Sequence, residues 1–181
     1  MATYIRRAQE ADLFNVEALI EDAKQVLKLH DNPQWQDGHP ELATLKNDIQ
    51  NGNNWLLIDD DHIVGTAVLQ FQAEQSYDEI TAGQWKGPDE PYAIIHRLTI
   101  DRRVSDRHLG KLFLANLISV GILQGIRNFR YDTHLKNVPM QKLGEKMGFV
   151  KRGIVYIKDQ TDPKHLAYEL RLSAQQPLIR E

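Results

Sequence analysis

The sequence predicts an α/β fold: one domain with a mixed central sheet of about seven strands, flanked by about four helices. Length is the first of three observations behind this reading. A chain of 181 residues, 41% of them hydrophobic, is long enough to bury one sizeable core and short for two. The second is patterning, because segments with apolar residues at helical spacing alternate along the chain with short apolar or alternating runs. The third comes from that order, since helices lying between strands imply crossovers and so a partly parallel sheet. The domain is read as residues 1–172, with 173–181 as a patternless C-terminal tail.

Residues 3–7 form a short first strand. Leu13, Val16, Ile20, Ala23 and Leu27 recur at helical spacing, so an amphipathic helix runs from about Ala11 to the stop at Asn32-Pro33. Residues 34–40 are a loop, and 41–50 a second short helix closed by Asn51-Gly52. A hairpin comes next, 54–58 and 63–71, joined through Asp59-Asp60-Asp61-His62. Residues 74–91 are polar and punctuated by Gly83, Gly87, Pro88 and Pro91; this loop can cover a site, and a helical turn fits 77–82. A strand at 92–100 leads to a helix from His108 to about Gln124, apolar nearly all round as for a helix buried against a sheet, and Gly125 closes it. Then come a strand at 127–134, a helix at 138–147 and two strands at 149–158 and 165–170.

Composition removes several functions. A formal net charge of −3 gives no excess of positive charge for a nucleic acid, and there is no block of like charges. With no cysteine there is no disulfide framework, no thiolate nucleophile and no cysteine-based zinc site. The N-terminus lacks an apolar signal region, and no apolar run approaches the roughly 20 residues of a membrane span, so a soluble, cytoplasmic protein is expected. No Gly-x-Ser-x-Gly, Gly-x-Gly-x-x-Gly or Gly-x-x-x-x-Gly-Lys-[Ser/Thr] occurs. The seven histidines form no His-x-x-x-His pair, so metal catalysis is not favoured.

What remains is concentrated between Tyr92 and Leu117. An apolar strand containing His96 runs through a charged turn into Leu109-Gly110-Lys111 at a helix start. A helix N-terminus offers unpaired backbone N–H groups and the positive end of the dipole, so this spot suits phosphate.

These residues resemble the GCN5-related N-acetyltransferase (GNAT) family. Its diagnostic loop, Gln/Arg-x-x-Gly-x-Gly/Ala, corresponds to Ser105-Asp106-Arg107-His108-Leu109-Gly110, with Gly110 in place and His108 where the first glycine stands. A second ordered match is Asp132-Thr133-His134, then Asn137 opening a helix that ends in Gly148-Phe149. With the flanking elements the resemblance covers residues 3–170, and the segments around Gln34-Trp35, Gly83-Gln84-Trp85, His96-Arg97-Leu98 and Asp132-Thr133-His134 resemble a bacterial subgroup whose acceptor is not named.

The resemblance implies the acyl-CoA N-acyltransferase fold, with its sheet splayed between 92–100 and 127–134, and acetyl-CoA as cosubstrate without a metal. It implies that Leu98, Thr99 and Ile100 offer backbone groups to the pantetheine arm. Arg107, His108, Leu109, Gly110 and Lys111 would face the pyrophosphate, and His134 and Asn137 would lie on the cofactor side. His108 can equally be a helix-start residue facing solvent; a left-handed backbone there costs about 1–2 kcal/mol. The acceptor pocket would take Trp35, Tyr77, Trp85 and Tyr92, with Glu74, Asp78 and Glu79 making its rim suit a cationic amine. Each aromatic can also simply anchor its loop.

Acetyl transfer needs an amine freed of its proton and a held oxyanion. His96 is the candidate base, at a strand position where some family members carry a histidine implicated in that role; the alternative is a core histidine bonded to a neighbouring strand. The N–H of Leu98 is the candidate oxyanion donor. Many members carry a tyrosine seven residues after the asparagine to protonate the leaving thiolate, and here that residue is Gly144. Tyr131, His134 and Tyr156 are substitutes to consider, none of them assigned. Two functions stay open: an acetyl-CoA-dependent N-acetyltransferase acting on a primary amine of a small molecule or peptide by direct attack in a ternary complex, or a non-catalytic acyl-CoA-binding or interaction protein. No nucleic-acid or membrane partner is expected, and oligomeric state stays open, a homodimer included.

Overall fold

The computed structural model describes residues 2–158, 160 and 162–173, and of residues 105–107 the backbone only; the expected tail lies outside the described residues from 174 onward. In chain order the elements are β1 (Thr3–Arg7), α1 (Leu13–Leu29), α2 (Leu42–Gln50), β2 (Asn54–Asp59), β3 (His62–Gln70), β4 (Tyr92–Ile100), α3 (Leu109–Leu123), β5 (Asn128–His134), α4 (Val138–Lys146), β6 (Val150–Tyr156) and β7 (Lys164–Arg171). The sheet has seven strands in the order β1-β2-β3-β4-β5-β7-β6. Every neighbour pair is antiparallel except β4 and β5, which α3 joins by a crossover. Among the described residues no helix is long and apolar enough to cross a membrane.

Strand alternation sorts side chains onto two faces. Leu57, Leu69, Ile95, Phe129 and Tyr131 meet Phe113, Leu114 and Leu117 of α3, all buried. Leu56 and Ile58 point the other way, onto Val16 and Ile20 of α1 and Leu45 and Ile49 of α2. Each such apolar side chain contributes roughly 1.5–3 kcal/mol by leaving water. The outer face of α3 stays open: Leu112, Ile122 and Leu123 are exposed, so its all-round apolar pattern overstates its burial. The β2–β3 turn is tighter than the sequence suggests. Asp59 pairs with His62, leaving Asp60 (φ 48°) and Asp61 (φ 65°) as the two left-handed residues of a type I′ turn.

Two irregularities of β4 open the sheet. Its pairing with β5 covers Tyr92↔Asn128, Ala93↔Phe129 and Ile94↔Arg130 and stops there. Beyond Ile94 the two strands diverge, leaving that edge of β4 without a strand neighbour. Against β3 the register jumps between Val68↔His96 and Thr66↔Thr99, so Arg97 and Leu98 together face Ala67 in a bulge. Arg97 takes up the bend with φ 52°. Its guanidinium is tied to buried Asp48 at the end of α2, Nη2 lying 2.9 Å from Oδ1 and 2.8 Å from Oδ2. Burial raises the Asp48 carboxyl above its usual range despite the counter-charge of Arg97.

Residues 71–91 are strapped across the face opposite α3. Tyr77 and Trp85 stack in parallel at 5.6 Å, and the Trp85 indole donates to the Tyr77 carbonyl. The Arg130 guanidinium lies between the rings of Trp85 (4.2 Å) and Tyr92 (3.8 Å) and donates to the Gly87 carbonyl. The helical turn expected over 77–82 is instead a single 3-10 turn, Gln75–Tyr77.

Candidate active site

The divergence of β4 and β5 opens a cleft of about 660 Å³. Its walls are Leu98, Thr99 and Ile100 on β4, Gly110 at the start of α3, Asn137 to Met140 and Leu143 on α4, and the Val26–Leu27 face of α1. Here β4 presents backbone groups that β5 no longer engages, and α3 brings its first amides, which have no intrahelical partner. A long apolar arm ending in phosphates fits such a cleft: strand-like backbone pairing along it and a helix N-terminus at its end. Lys136, His30 and an Arg102–Asp22 ion pair (3.1 Å) also line it, none of them announced by the motifs.

Half of the ten cofactor-side candidates lie on the cleft wall. Leu98, Thr99, Ile100, Gly110 and Asn137 all line the cleft. His108 caps α3 with a left-handed backbone (φ 58°, ψ 20°) and an exposed side chain, the position of a helix-start residue facing solvent. Leu109 is buried in the core and brings only its backbone, and Lys111 is exposed and outside the cleft wall. The Arg107 side chain lies outside the described residues. His134 departs from expectation. It is buried, its Nε2 is bound to Asp162 Oδ2 (3.0 Å) and its Nδ1 accepts from the Lys136 amide (3.1 Å), so it closes the end of β5 and lines neither cavity.

A second, smaller pocket of about 130 Å³ opens on the other side of the bulge. Gln34, Trp35, Glu74, His96, Asp132, Ile157 and His165 are among its walls. Of the four aromatic acceptor candidates only Trp35 lines it, and Trp35 also lines the large cleft. Tyr77, Trp85 and Tyr92 form the stacked layer behind it; Tyr77 and Trp85 are buried against Arg130, Ile94 and Val155, so their role there is to anchor the loop. Gln34 closes the junction, its Oε1 accepting from Asn137 Nδ2 at 3.1 Å and from the His134 amide at 3.4 Å.

The pocket is a cluster of carboxylates and imidazoles. His96 Nε2 is 2.9 Å from Glu74 Oε2, and its Nδ1 is 3.9 Å from Asp132 Oδ1. Asp132 also receives the Tyr77 hydroxyl (2.6 Å) and His165 Nδ1 (2.5 Å). Burial pulls the Asp132 carboxyl upward, but hydrogen bonding and charge from His165, charge from His96 and the Tyr77 hydroxyl outweigh it and hold the group below its usual range. Glu74 behaves alike, with burial outweighed by His96 and by the Ser76 hydroxyl. Burial, with Asp132 adding to it, drives the Tyr77 phenol far above its usual range, so it stays a donor. Sequence reasoning misses Asp132 and His165 as members of this cluster. Alternation along β5 does carry the signal: Asp132 shares a face with Arg130 and alternates with Tyr131 and Thr133.

Comparison with known proteins agrees with this geometry. Residues 16–149 match the acetyltransferase (GNAT) family. A GNAT-family acetyltransferase from Streptococcus agalactiae superposes with a TM-score of 0.85 at 31% identity, over 95% of this chain and 96% of that one. A putative acetyltransferase from Staphylococcus aureus gives 0.70 at 27% identity, over 93% and 99%. PaiA N-acetyltransferase from Thermoplasma acidophilum, solved in complex with coenzyme A, shares the fold with a TM-score of 0.68 at 18% identity, over 95% and 100%. Among curated proteins none matches significantly. Matched over most of its length, with the splayed sheet, the bulged central strand and the α3 cradle in place, the chain belongs to the GNAT acetyltransferase family.

Proposed function

We propose that this protein transfers the acetyl group of acetyl-CoA to a primary amine of a small molecule or peptide, by direct attack within a ternary complex. One observation carries the reading: the bulged segment of β4 is a wall common to both cavities, with Leu98 on the cleft and His96 on the pocket. Coenzyme A fits the cleft, its pantetheine arm along Leu98 to Ile100, its pyrophosphate at the α3 N-terminus near Gly110, and Asn137 beside it. The acceptor fits the pocket, where Glu74 and Asp132 favour a cation.

The residues then divide the work. His96 takes the proton from the bound ammonium, leaving a lone pair on nitrogen. That nitrogen attacks the thioester carbonyl, and the Leu98 N–H, freed from β5 by the splay, holds the oxyanion. The C–N bond forms, the C–S bond breaks with its electron pair leaving on sulfur, and the nitrogen, cationic after attack, gives its second proton to the departing thiolate or to solvent, leaving a neutral amide. No tyrosine stands at Gly144 to protonate the sulfur, but a thiol with a pKa of about 8.5 is a competent leaving group near neutral pH.

A thiol-release assay with acetyl-CoA over polyamines, amino acids, aminoglycosides and short peptides tests the reading, run alongside thermal shift with coenzyme A. Turnover with at least one amine is expected, together with a raised melting temperature. A thermal shift with no thiol release from any amine points instead to an acyl-CoA-binding protein. Absence of any shift removes the cofactor assignment as well.

A further inference from the structure

We propose that Glu74, on the loop strapped across the sheet, is the positioning residue for His96: it fixes the imidazole with its proton on Nε2, so that Nδ1 is the nitrogen that takes the acceptor's proton. The proposal rests on the acetyltransferase reading above and assigns it a specific atom. The geometry starts from the 2.9 Å contact between His96 Nε2 and Glu74 Oε2. An ionised carboxylate has no proton to give, so the proton in that bond belongs to Nε2. Glu74 is itself held in place. Its other oxygen accepts the Ser76 hydroxyl at 2.6 Å, which leaves Oε2 turned to the histidine. The Tyr77 and His96 rings stand nearly perpendicular, at 88° with centroids 6.2 Å apart, which limits how far the imidazole can turn.

Nδ1 is then the nitrogen with a lone pair, and it faces Asp132 Oδ1 at 3.9 Å, too far for a direct hydrogen bond. A lone pair opposite a carboxylate is mutually repulsive until an N–H donor comes between them. The acceptor's ammonium is such a donor, able to give one N–H to Asp132 and another to Nδ1. Passing the second proton to Nδ1 frees the amine lone pair for the thioester carbon and leaves an imidazolium between two carboxylates, Nε2–H on Glu74 and Nδ1–H toward Asp132. When the C–S bond breaks, the nitrogen's second proton and the imidazolium proton go one to the departing thiolate and one to solvent, so that neutral amide, thiol and one released proton result and the site returns to its starting charge.

The remaining groups around His96 are otherwise engaged. Arg97, next on β4, turns its guanidinium to Asp48. His165 on β7 uses Nδ1 on the far oxygen of Asp132. Tyr77 donates its hydroxyl to Asp132. Among the described residues only Glu74 can set the tautomer, and it comes from the strap, 22 residues before His96 in the chain. A competent base is therefore assembled only when the strap is docked.

The test reads the tautomer directly, by 15N chemical shifts and one-bond couplings of the His96 ring in 15N-histidine-labelled protein. The wild type is expected to carry its proton on Nε2, and Glu74→Gln, whose amide can both accept and donate, to lose that single state. With an acceptor from the amine screen, Glu74→Gln is expected to lower kcat by about 10-fold or more with KM for acetyl-CoA little changed. The acidic limb of its pH profile is expected to move down by about one unit, because the charge favouring the imidazolium is gone. Glu74→Asp is expected to recover part of kcat. A wild-type His96 protonated on Nδ1, or a Glu74→Gln tautomer and pH profile identical to wild type, overturns the proposal. The Nε2 tautomer in a protein that acetylates no amine leaves Glu74 as the group that sets His96 and removes the acetyltransferase reading instead.

Discussion

The Tyr131 hydroxyl occupies the space where a side chain on residue 144 would begin: a Cβ built on Gly144 would lie 1.9 Å from it. Tyr131 reaches this place from β5, stacked on Tyr168 at 4.8 Å and edge-on to Phe149 at 5.0 Å, so its ring has little freedom to move. Burial keeps its phenol protonated far above neutral pH. The glycine in place of the family's tyrosine is thus a packing requirement of this core. Gly144→Ala is expected to cost about 1–3 kcal/mol by overpacking, and each kcal/mol is worth about 2–4 °C at this chain length. Thermal denaturation checks it, and an unchanged melting temperature means that the Tyr131 ring yields freely. Gly144→Tyr is expected to unfold the α4 contact before it can supply an acid to sulfur.

Arg130 is the pin of the strap. Its guanidinium lies among Trp85, Tyr92 and the Gly87 carbonyl and stands 3.6 Å from Glu169, which is fully buried and also binds Arg152. Glu169 keeps Arg152, but the Gly87 carbonyl loses its donor and the two rings lose the cation over them, so Arg130→Ala is expected to cost about 1–3 kcal/mol. Arg130→Lys is expected to recover little, because an ammonium cannot lie flat between two rings while bonding Gly87. Since Glu74 and Tyr77 ride on the same strap, both variants are expected to lose protection of the Tyr77 and Trp85 amides in hydrogen exchange before global unfolding. Uniform protection across the sheet would show the strap to be held elsewhere.

Much of this is legible in the sequence, for physical reasons that also mark the limit. The order of elements comes from periodicity, and the cleft side of the site from the Gly110 and Asn137 motifs, because backbone cradles need particular residues at fixed spacing. Long-range pairing leaves no such trace. Nothing local to Glu74 announces that it meets His96, or that Asp132 on β5 holds Tyr77 from the strap and His165 from β7. The aromatics at 77, 85 and 92 pass for pocket walls in the sequence because composition cannot tell a ring that lines a cavity from one that stacks behind it. Gly144 is visible as a departure from the family, and its cause is not, since Tyr131 lies on another element.

His108 offers a direct measure of backbone strain at the cofactor cradle. It holds φ 58° and ψ 20° with an exposed imidazole, so its side chain brings no packing to offset the left-handed conformation. His108→Gly is expected to be more stable than His108→Ala by about 1 kcal/mol, glycine alone being at ease at positive φ. Part of that gain is offset by the freer unfolded chain. Paired melting curves decide it. Equal stabilities would mean that the helix start relaxes out of the left-handed region when the imidazole is removed.

Acid stability should report on the pocket through Asp132. Its carboxyl, buried but held below the usual range by His165, His96 and Tyr77, binds fewer protons folded than unfolded. Below an unfolded value of about 3.9, protons therefore favour the unfolded chain. The stabilisation is fully present above that value and is lost as pH falls through the lower, folded one. Glu74, shifted in the same direction, adds to the effect from about 4.3 downward. In Asp132→Asn this titration is gone: the variant is expected to melt lower than wild type at pH 7 and to fall less steeply between about pH 5 and 3. Some slope persists, because Glu74, Asp162, Asp12 (bonded to Arg6) and Asp101 (bonded to Arg103) are depressed too and still titrate. Melting temperatures across that range in both proteins make the comparison. Parallel curves would place the acid sensitivity in the other depressed carboxylates, Glu74 and Asp162 included, and would mean that the charge of Asp132 is not what holds His165 and Tyr77 together.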